Sequence, residues 1–283
     1  MAVESDIIAI GADPHSNPFA LEAVIEDVEE HGITKLWVLG DNVGYNAYPN
    51  ECIRIIKERG IYSLFGNHDV AVLKERGVDT SNILLYMAMQ TVSDFKLPAE
   101  IAKIYTAGEL SDESIDFLAN LSFSQRFNHS VGVHSRPYSF GDFGFYFANE
   151  ENNEIFQREV NRTFETIAGR EKCDDHGINI CFVGHSHRPG YIVQEHDKQS
   201  HVFIPAVWGD TVHVNDRTKK YIIDVGSIGQ PRDGNKDATW VEYNITKGEI
   251  IFRKTPYDVK AMVNANKKAG LPPYLSERLT VGK

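Results

Sequence analysis

The chain has 283 residues, 42% of them hydrophobic, which is enough to form a large core and too apolar for a disordered protein. Its formal net charge of −11 repels the backbone of a long nucleic acid, and no run of Lys and Arg counters this repulsion. The three cysteines form no C-x-x-C pair, which fits a reducing compartment. Residues 1–13 lack the features of a signal peptide, and no segment has the length of a membrane span. These features predict a soluble cytoplasmic protein.

Short apolar runs alternate with helical patterns through the first seventy residues. Strands are predicted at 6–12, 35–39 and 61–64, with one helix starting at Pro18 and a second over about 50–59. This β-α-β-α-β order predicts a parallel sheet with helices on its faces. In such a sheet the functional residues lie in the loops at the carboxyl ends of the strands.

The rest of the chain predicts further layers around this sheet. Residues from about 80 to 120 have a helical pattern of mixed polarity, typical of a side layer, and the segment 136–173 is expected to contain one helix. Residues from about 196 to 220 are polar enough to form an excursion. Short strands, which suggest a second and mainly antiparallel sheet, are predicted at 127–134, 179–183, 191–195, 221–225, 238–243 and 249–253. The predicted fold is α/β: one domain over 1–283, a four-layer α/β/β/α sandwich of two mixed sheets flanked by helices.

Five clusters of metal-capable side chains each follow an apolar run. Alone, an Asp after a strand is usually a turn residue, and a lone His is usually an ordinary surface or core residue. Five clusters in succession would bring oxygen and nitrogen atoms to one edge of a sheet, which turn formation does not explain. This order predicts a metal site formed by Asp13-x-His15, Gly40-Asp41, Gly66-Asn67-His68-Asp69, Val133-His134 and Gly184-His185-x-His187.

The chemistry of these side chains narrows the kind of ion. Carboxylate, amide and imidazole ligands without thiolate suit Mn, Fe, Zn, Co or Ni, and the sequence does not choose among them. Seven candidates are too many for one tetrahedral ion and suit two ions sharing Asp41 as a bridge: Asp13, His15, Asp41, Asn67, His134, His185 and His187. Two such ions can hold a hydroxide at neutral pH and neutralise charge during phosphoryl transfer.

The ordered pattern D-x-H, G-D, G-N-H-D, H and G-H-x-H resembles the calcineurin-like metallophosphoesterases. Residues 39–45 (LGDNVGY), 49–52 (PNEC) and 226–234 (GSIGQPRDG) are similar to the bacterial phosphodiesterase and diadenosine-tetraphosphatase-like branch. The resemblance implies hydrolysis of a phosphate ester or anhydride by a metal-bound hydroxide, with a phosphodiester or dinucleotide-type small substrate favoured. It assigns one ion to Asp13, His15, Asp41 and His187, and the other to Asp41, Asn67, His134 and His185.

The same resemblance implies roles for residues that are not ligands. His68 would stabilise or protonate the leaving oxygen, and Asp69 would orient the His68 ring. The carboxylate of Asp69 would also raise the pKa of His68. Asn17, Arg188 and Arg232 would lie near the substrate, since arginine suits bidentate phosphate contacts, although exposed arginines often pair with surface carboxylates instead.

The chain departs from these relatives in a few places that bear on the substrate. Pro14 and Ser16 replace an aliphatic residue and a glycine in the first motif, and Asp224 stands where asparagine is frequent. His213 and Trp208 would contact substrate only if the polar excursion folded over the site, and a surface position is expected for both. The histidines expected not to bind metal are His31, His129, His176, His196, His201 and His213.

Other functions remain compatible with the sequence. The same site could serve a phosphomonoesterase or a protein Ser/Thr phosphatase, because the motifs do not choose a substrate. A catalytically inactive binding scaffold would lack His68 or a bridging ligand, and both are present. A structural metal site would use cysteine-rich ligand sets, which the chain does not have.

Overall fold

The computed structural model of the protein describes residues 6–92, 94–138, 154–170, 177–194 and 200–283. The described strands are β1 Ile7–Gly11, β2 Leu36–Val38, β3 Tyr62–Ser63, β4 Ser124–Phe127, β5 Ser130–Val133, β6 Ile180–Val183, β7 Gly190–Gln194, β8 Ile204–Pro205, β9 Thr211–His213, β10 Lys220–Asp224, β11 Ala238–Asn244 and β12 Glu249–Thr255. The described helices are α1 Pro18–Glu30, α2 Pro49–Glu58, α3 Asn67–Glu75, α4 Ile83–Thr91, α5 Leu97–Glu109, α6 Asp112–Ala119, α7 Glu154–Arg170, α8 Val259–Lys268 and α9 Pro273–Val281.

The strands form two mixed sheets of six strands each among the described residues. The first has the order β3-β2-β1-β11-β12-β9, in which β1, β2 and β3 are parallel and the other pairs antiparallel. The second has the order β4-β5-β6-β10-β7-β8, in which β5, β6 and β10 are parallel. The predicted α/β class with two mixed sheets is therefore confirmed.

Two details of the predicted sheets are wrong. The strands predicted at 238–243 and 249–253 do not belong to the second sheet, because β11 pairs with β1 along Ile7 to Ile10 and β12 pairs with β11. The single strand predicted at 127–134 is a hairpin of β4 and β5, since Asn128 adopts a left-handed backbone with φ of 51° and turns the chain. Both differences depend on long-range pairing or on a turn that hydrophobic periodicity does not report.

Alternating side chains divide the core into three layers of contacts. In β1, Ile8 and Ile10 face the space between the sheets, where they join Phe182 of β6, whereas Ala9 faces α1 and α2 on the outer side. The opposite face of the second sheet packs against α3 to α7. This is the arrangement α/β/β/α, and it follows from the period-2 alternation of side chains along each strand.

The segments that were harder to read from sequence form ordinary elements. Residues 83–119 contain α4, α5 and α6, and the described part of the polar segment contributes β8 to the edge of one sheet and β9 to the edge of the other. Cys52 and Cys181 are buried free thiols, and Cys173 lies outside the described residues. Within the described ranges no helix combines the length and the apolar character needed to cross a membrane.

The contact between the two sheets predicts a large stability cost at Phe182. Its ring is fully buried and lies 5.2 Å from that of Tyr243 and 5.7 Å from that of Phe127. Phe182→Ala should lower the free energy of unfolding by about 3–5 kcal/mol, because it leaves a cavity between the sheets. Urea denaturation of both proteins measures this difference in the free energy of unfolding. Tyr86→Ala on the exposed side of α4 is the control and should change stability by less than about 0.5 kcal/mol; equal losses would contradict the inter-sheet assignment.

Candidate metal centre

The loops that follow β1, β2, β3, β5 and β6 meet at one edge of the two sheets. The loop after β1 continues along the loop after β2, because the amides of Asp13, His15 and Ser16 donate to the carbonyls of Gly40, Asp41 and Asn42 at 2.9–3.1 Å. The loop after β6 joins them, since the amide of His185 donates to Asp13 Oδ2 at 2.9 Å. The five sequence clusters therefore lie side by side.

Backbone strain is concentrated in these loops. Among the described residues, eight that are not glycine have positive φ, and all but Asn128 lie here: Asp13, His15, Ser16, Asp41, Tyr45, His185 and His187. Such conformations cost about 1–3 kcal/mol each and persist only where the surrounding structure imposes them, most often at functional sites. The strained backbone aims the candidate ligands inward instead of along the strands.

A first group of ligand atoms is formed by Asp13, His15 and His187. Asp13 Oδ1 lies 3.1 Å from His187 Nε2 and 3.5 Å from His15 Nε2, and the two Nε2 atoms are 3.2 Å apart. All three side chains are buried, and Asp13 Oδ1 makes no hydrogen bond. Three ligand atoms within 4.8 Å of one another could hold a cation.

A second group is formed by Asp41, Asn67, His134 and His185. His134 Nε2 lies 3.3 Å from Asp41 Oδ2 and 3.1 Å from Asn67 Oδ1, and His185 Nδ1 lies 2.8 Å from Asn67 Oδ1. Asp41 also reaches the first group, because its Oδ2 lies 3.6 Å from His15 Nε2. Asp41 is the carboxylate between the two groups.

Hydrogen bonds to backbone carbonyls fix the tautomers of three of these histidines. Nδ1 faces a carbonyl oxygen in each: Val43 for His15 at 3.1 Å, Leu39 for His134 at 2.7 Å and Gln230 for His187 at 2.5 Å. A carbonyl only accepts, so Nδ1 must carry the proton, and in the neutral rings each Nε2 lone pair faces the centre. This is the outer-shell arrangement usual for metal-ligating histidines, and the facing lone pairs of His15 and His187 repel unless a cation or proton lies between them.

Burial and charge act in opposite directions on the ionisation of the centre. Burial favours neutral carboxyl groups, but the interaction with nearby histidines has the opposite effect. His187 lowers the pKa of Asp13 and His134 lowers the pKa of Asp41, so that both carboxyls have pKa values well below the usual one. Burial opposes the charge on His134, but the Asp41 and Asp13 carboxylates raise its pKa to about 9. Burial lowers the pKa of His185 and of His187 to about 3. Ionised carboxylates and the neutral imidazoles of His185 and His187 are forms that bind divalent cations, whereas His134 must release a proton to bind one.

The structure corrects the role predicted for Asp69. Its carboxylate is buried and accepts hydrogen bonds from the amides of Gly66, Asn42 and Val43 and from Asn42 Nδ2 at 2.9–3.2 Å, and none from the His68 ring. Asp69 therefore ties the start of α3 to the loop after β2. Burial and the nearby charge of Asp41 raise its pKa to about 7.

The ring of His68 is held by aromatic packing, and no Asp or Glu side chain among the described residues hydrogen-bonds to it. The ring stacks on Phe95 with centroids 4.4 Å apart, touches Tyr45 at 4.4 Å, and lies 4.8 Å from His15. Its pKa was expected to rise; burial instead lowers it well below the usual value, against the opposing charge of Asp41. Burial thus favours the neutral imidazole of His68, and the backbone amide of His68 donates to Asp41 Oδ1 at 2.7 Å.

A cavity of about 510 Å³ opens beside this centre. Asp41, Asn67, His68, His185 and His187 line the side of the cavity next to the centre, and the other walls come from Val92, residues 94–99, Arg232 and α9. This volume lies in the range of sites that bind small molecules.

The three predicted substrate contacts fall in different places. Arg232 lines the cavity, where its guanidinium donates to Gln230 Oε1 at 2.8 Å and to the hydroxyl of Tyr45 at 3.3 Å. Asn17 uses its polar atoms within the chain, accepting from the amide of Ala20 and donating to the carbonyl of Gly229. Arg188 is not among the described residues that line the cavity.

The departure at Asp224 has a structural role. Its buried carboxyl accepts from Ser186 Oγ at 2.5 Å and from the amide of Gly226 at 2.9 Å, and burial raises its pKa well above the usual value. Ser186 lies between His185 and His187, so Asp224 anchors the loop that presents both.

Several residues of the site have no sequence motif. Phe95, Tyr274 and Arg278 line the cavity from segments outside the five clusters, and only their positions in the fold bring them there. Of the other histidines, His213 is exposed on β9 and is not in the cavity lining, nor is Trp208. His176 and His196 lie outside the described residues.

Comparison with known proteins agrees with this geometry. A family model described as calcineurin-like phosphoesterase matches residues 7–189, more than half of the chain. The chain belongs to the calcineurin-like phosphoesterase family. The resemblance inferred from the motifs is thus confirmed. Members of this family are metal-dependent hydrolases of phosphate esters, and the clustered Asp and His side chains of this member could bind metal.

Three relatives show how far the similarity extends. The uncharacterized protein MJ0912 of Methanocaldococcus jannaschii is 30% identical over 277 residues, 98% of each chain. The crystal structure of a metallophosphoesterase from Sphaerobacter thermophilus has a TM-score of 0.74 and 26% identity, covering 99% of this chain and 100% of that one. The hypothetical protein PH1004 from Pyrococcus horikoshii OT3 has a TM-score of 0.70 and 18% identity, covering 98% of both chains, and shares the fold.

The packing of His68 predicts that Gly44 cannot carry a side chain. Gly44 has φ of +105°, and a Cβ there would lie 2.4 Å from His68 Nδ1. Gly44→Ala should displace the imidazole and lower turnover of a chromogenic phosphodiester by about 10²-fold or more, the range for a misplaced acid–base group. The control is Gly60→Ala, which has φ of +62° but open space around its Cβ, so it tests backbone strain alone. Equal activity of the two variants would contradict the packing argument.

Proposed function

We propose that the protein is a binuclear metal-dependent phosphoesterase that hydrolyses a small phosphodiester or dinucleotide-type substrate. The observation that carries this proposal is the position of the Asp41 carboxylate, 3.6 Å from His15 Nε2 and 3.3 Å from His134 Nε2. A carboxylate between two sets of candidate ligands suits a pair of ions that share one bridge.

The proposal assigns each candidate ligand to one of two divalent ions. The nitrogen and oxygen donor set, without thiolate, fits Mn, Fe, Zn, Co or Ni. The inward lone pairs of the histidines and the buried, unbonded Asp13 Oδ1 support cation binding. One ion is assigned to Asp13, His15, Asp41 and His187, and the other to Asp41, Asn67, His134 and His185.

When bound, two such ions supply a nucleophile from water near neutral pH and neutralise charge on the phosphoryl oxygens. The residues of the chain orient the substrate around them. Arg232 lies beside His187, its amide bonded to the carbonyl of that residue at 3.0 Å, and its guanidinium is positioned to bind a phosphoryl oxygen.

In this proposal His68 interacts with the leaving oxygen of the ester. Its Nδ1 is buried against Gly44 and makes no hydrogen bond, which leaves Nε2 to donate to a group in the cavity. A neutral imidazole can donate this hydrogen bond to the departing oxygen and stabilise the negative charge that develops there. Phe95 and Tyr45 keep the ring in place while it does so.

Two features support a small substrate over a phosphoprotein or a nucleic acid. The cavity of about 510 Å³ is enclosed by α9 and by the segment 92–99, which leaves room for a small molecule. The formal charge of −11 disfavours long nucleic acids.

The direct test is a panel of substrates and metals. Chelator-treated protein is reloaded separately with Mn, Fe, Co, Ni, Zn or Mg and assayed with a chromogenic diester, a monoester and a dinucleoside polyphosphate. The proposal expects metal-dependent turnover, with diester or dinucleotide hydrolysis faster than monoester hydrolysis. Turnover of none of them with any metal would overturn the function, and a preference for the monoester would overturn the substrate class.

The bridging role of Asp41 predicts the metal content of the protein. Saturated protein should contain two divalent ions per chain by elemental analysis, and Asp41→Ala should lower both metal content and activity, because the shared anionic ligand is lost. Asp210→Ala, which removes an exposed carboxylate before β9, is the control and should retain both ions. One ion per saturated chain, or full metal content in Asp41→Ala, would contradict the bridging role.

The role of His68 is tested with leaving groups of different basicity. His68→Ala should retain both ions and lower kcat by about 10² to 10⁴ on an ester with a poor leaving group. The loss should be smaller for nitrophenolate, which departs without a proton. The exposed His213→Ala is the control and should leave both rates unchanged. Loss of an ion, or equal losses on both esters, would reassign His68 as a ligand or an electrostatic group.

A further inference from the structure

Two arginines that line the cavity both lie near the ring of Tyr45. The guanidinium carbon of Arg232 lies 5.7 Å from the centroid of the Tyr45 ring, and that of Arg278, on α9, lies 6.0 Å from the same centroid. Both side chains line the cavity, and Tyr45 separates Arg278 from the His15 and His68 rings, whereas Arg232 lies next to His187. Arg278 is therefore one ring farther from the candidate metal centre than Arg232.

Neither guanidinium pairs with an Asp or Glu side chain in the part of the chain that the structure describes. Arg232 bonds to Gln230 and Tyr45, and Arg278 Nε donates to a carboxyl oxygen of Lys283, the last residue of the sequence. Asp94 and Lys96 also line the cavity. Burial and the charge of Arg232 lower the pKa of Arg278.

Two guanidinium groups that line one cavity attract an anion into it. A guanidinium presents donors in a planar fork that matches phosphate oxygens. The geometry thus points to a ligand with negative charge beyond the group that the metal centre binds.

We propose that Arg278, together with Arg232, forms a subsite for a second phosphate group of the substrate, adjacent to the phosphate that is hydrolysed. This inference rests on the proposed function and narrows it to substrates in which two phosphates are joined, such as nucleotide diphosphates and polyphosphates. Tyr274 supports the assignment, because its half-exposed ring lies 5.5 Å from the Arg278 guanidinium and offers a flat surface at the outer end of the cavity.

The test compares two ligands that differ by one phosphate. AMP and α,β-methylene-ADP, which is not cleaved at its phosphate bridge, are titrated calorimetrically into metal-loaded protein with the divalent ion in excess. The methylene analogue should bind more tightly than AMP. Arg278→Gln should weaken binding of the analogue about 10-fold or more, the loss expected for one charge-assisted contact, and leave AMP binding unchanged.

Two further variants isolate the cause. Arg54→Gln on α2 removes an equal charge from an exposed site and should change neither affinity. Arg278→Lys keeps the charge and the packing of α9 but not the fork, so it should lose part of the preference for the analogue with a normal thermal unfolding curve. If Arg278→Gln does not fold, the binding data for Arg278→Lys test the subsite.

The outcomes separate the subsite from the proposed function. An equal effect of Arg278→Gln on both ligands, or no effect on either, would overturn the subsite even if phosphodiesters are hydrolysed. Absence of turnover with any phosphate ester would instead overturn the proposed function, while the binding comparison would still report on Arg278.

Discussion

The buried charge of Asp41 is the constraint on which the site depends. An isolated carboxylate that is 1% exposed would be expensive to ionise, because burial removes it from water. Histidine nitrogen atoms on two sides and the amide of His68 compensate for that cost. Each of these groups comes from a different loop, so the loops must meet at one point for Asp41 to remain ionised. The sandwich provides that point, since its parallel strands end at a common edge.

Stability and function make opposite demands on these loops. Seven residues with left-handed backbone and a set of converging lone pairs would be unfavourable in a freely folding segment. The three layers of apolar contacts around the sheets, together with the carboxyl groups of Asp69 and Asp224, hold the loops in place from behind. The candidate ligands are therefore preorganised at the expense of local strain, which is the condition for rapid and specific binding of a cation.

The centre and the cavity wall differ in how they are assembled. The centre is built from short motifs at the ends of core strands, where small displacements would break the hydrogen bonds between loops. The wall is built from Val92, from residues 94–99 and from α9, which lie far apart in the chain. Ala99 and α9 pack in one apolar cluster with Tyr45 and Ala47. A side chain of this wall, such as Arg278, can therefore change without disturbing the buried centre.

The amino-acid sequence alone predicts the layered fold and the side chains of the candidate centre. The order of the motifs after apolar runs points to the candidate ligands, because these side chains lie in loops at the ends of strands. The tertiary structure is needed to show that β11 and β12 join the first sheet, that Asp69 holds a loop instead of the His68 ring, and that Phe95 and Arg278 reach the cavity. The physical reason is range: periodicity and turn chemistry act between near neighbours in the chain, whereas strand pairing, ring stacking and the burial of Asp69 depend on residues brought together by packing.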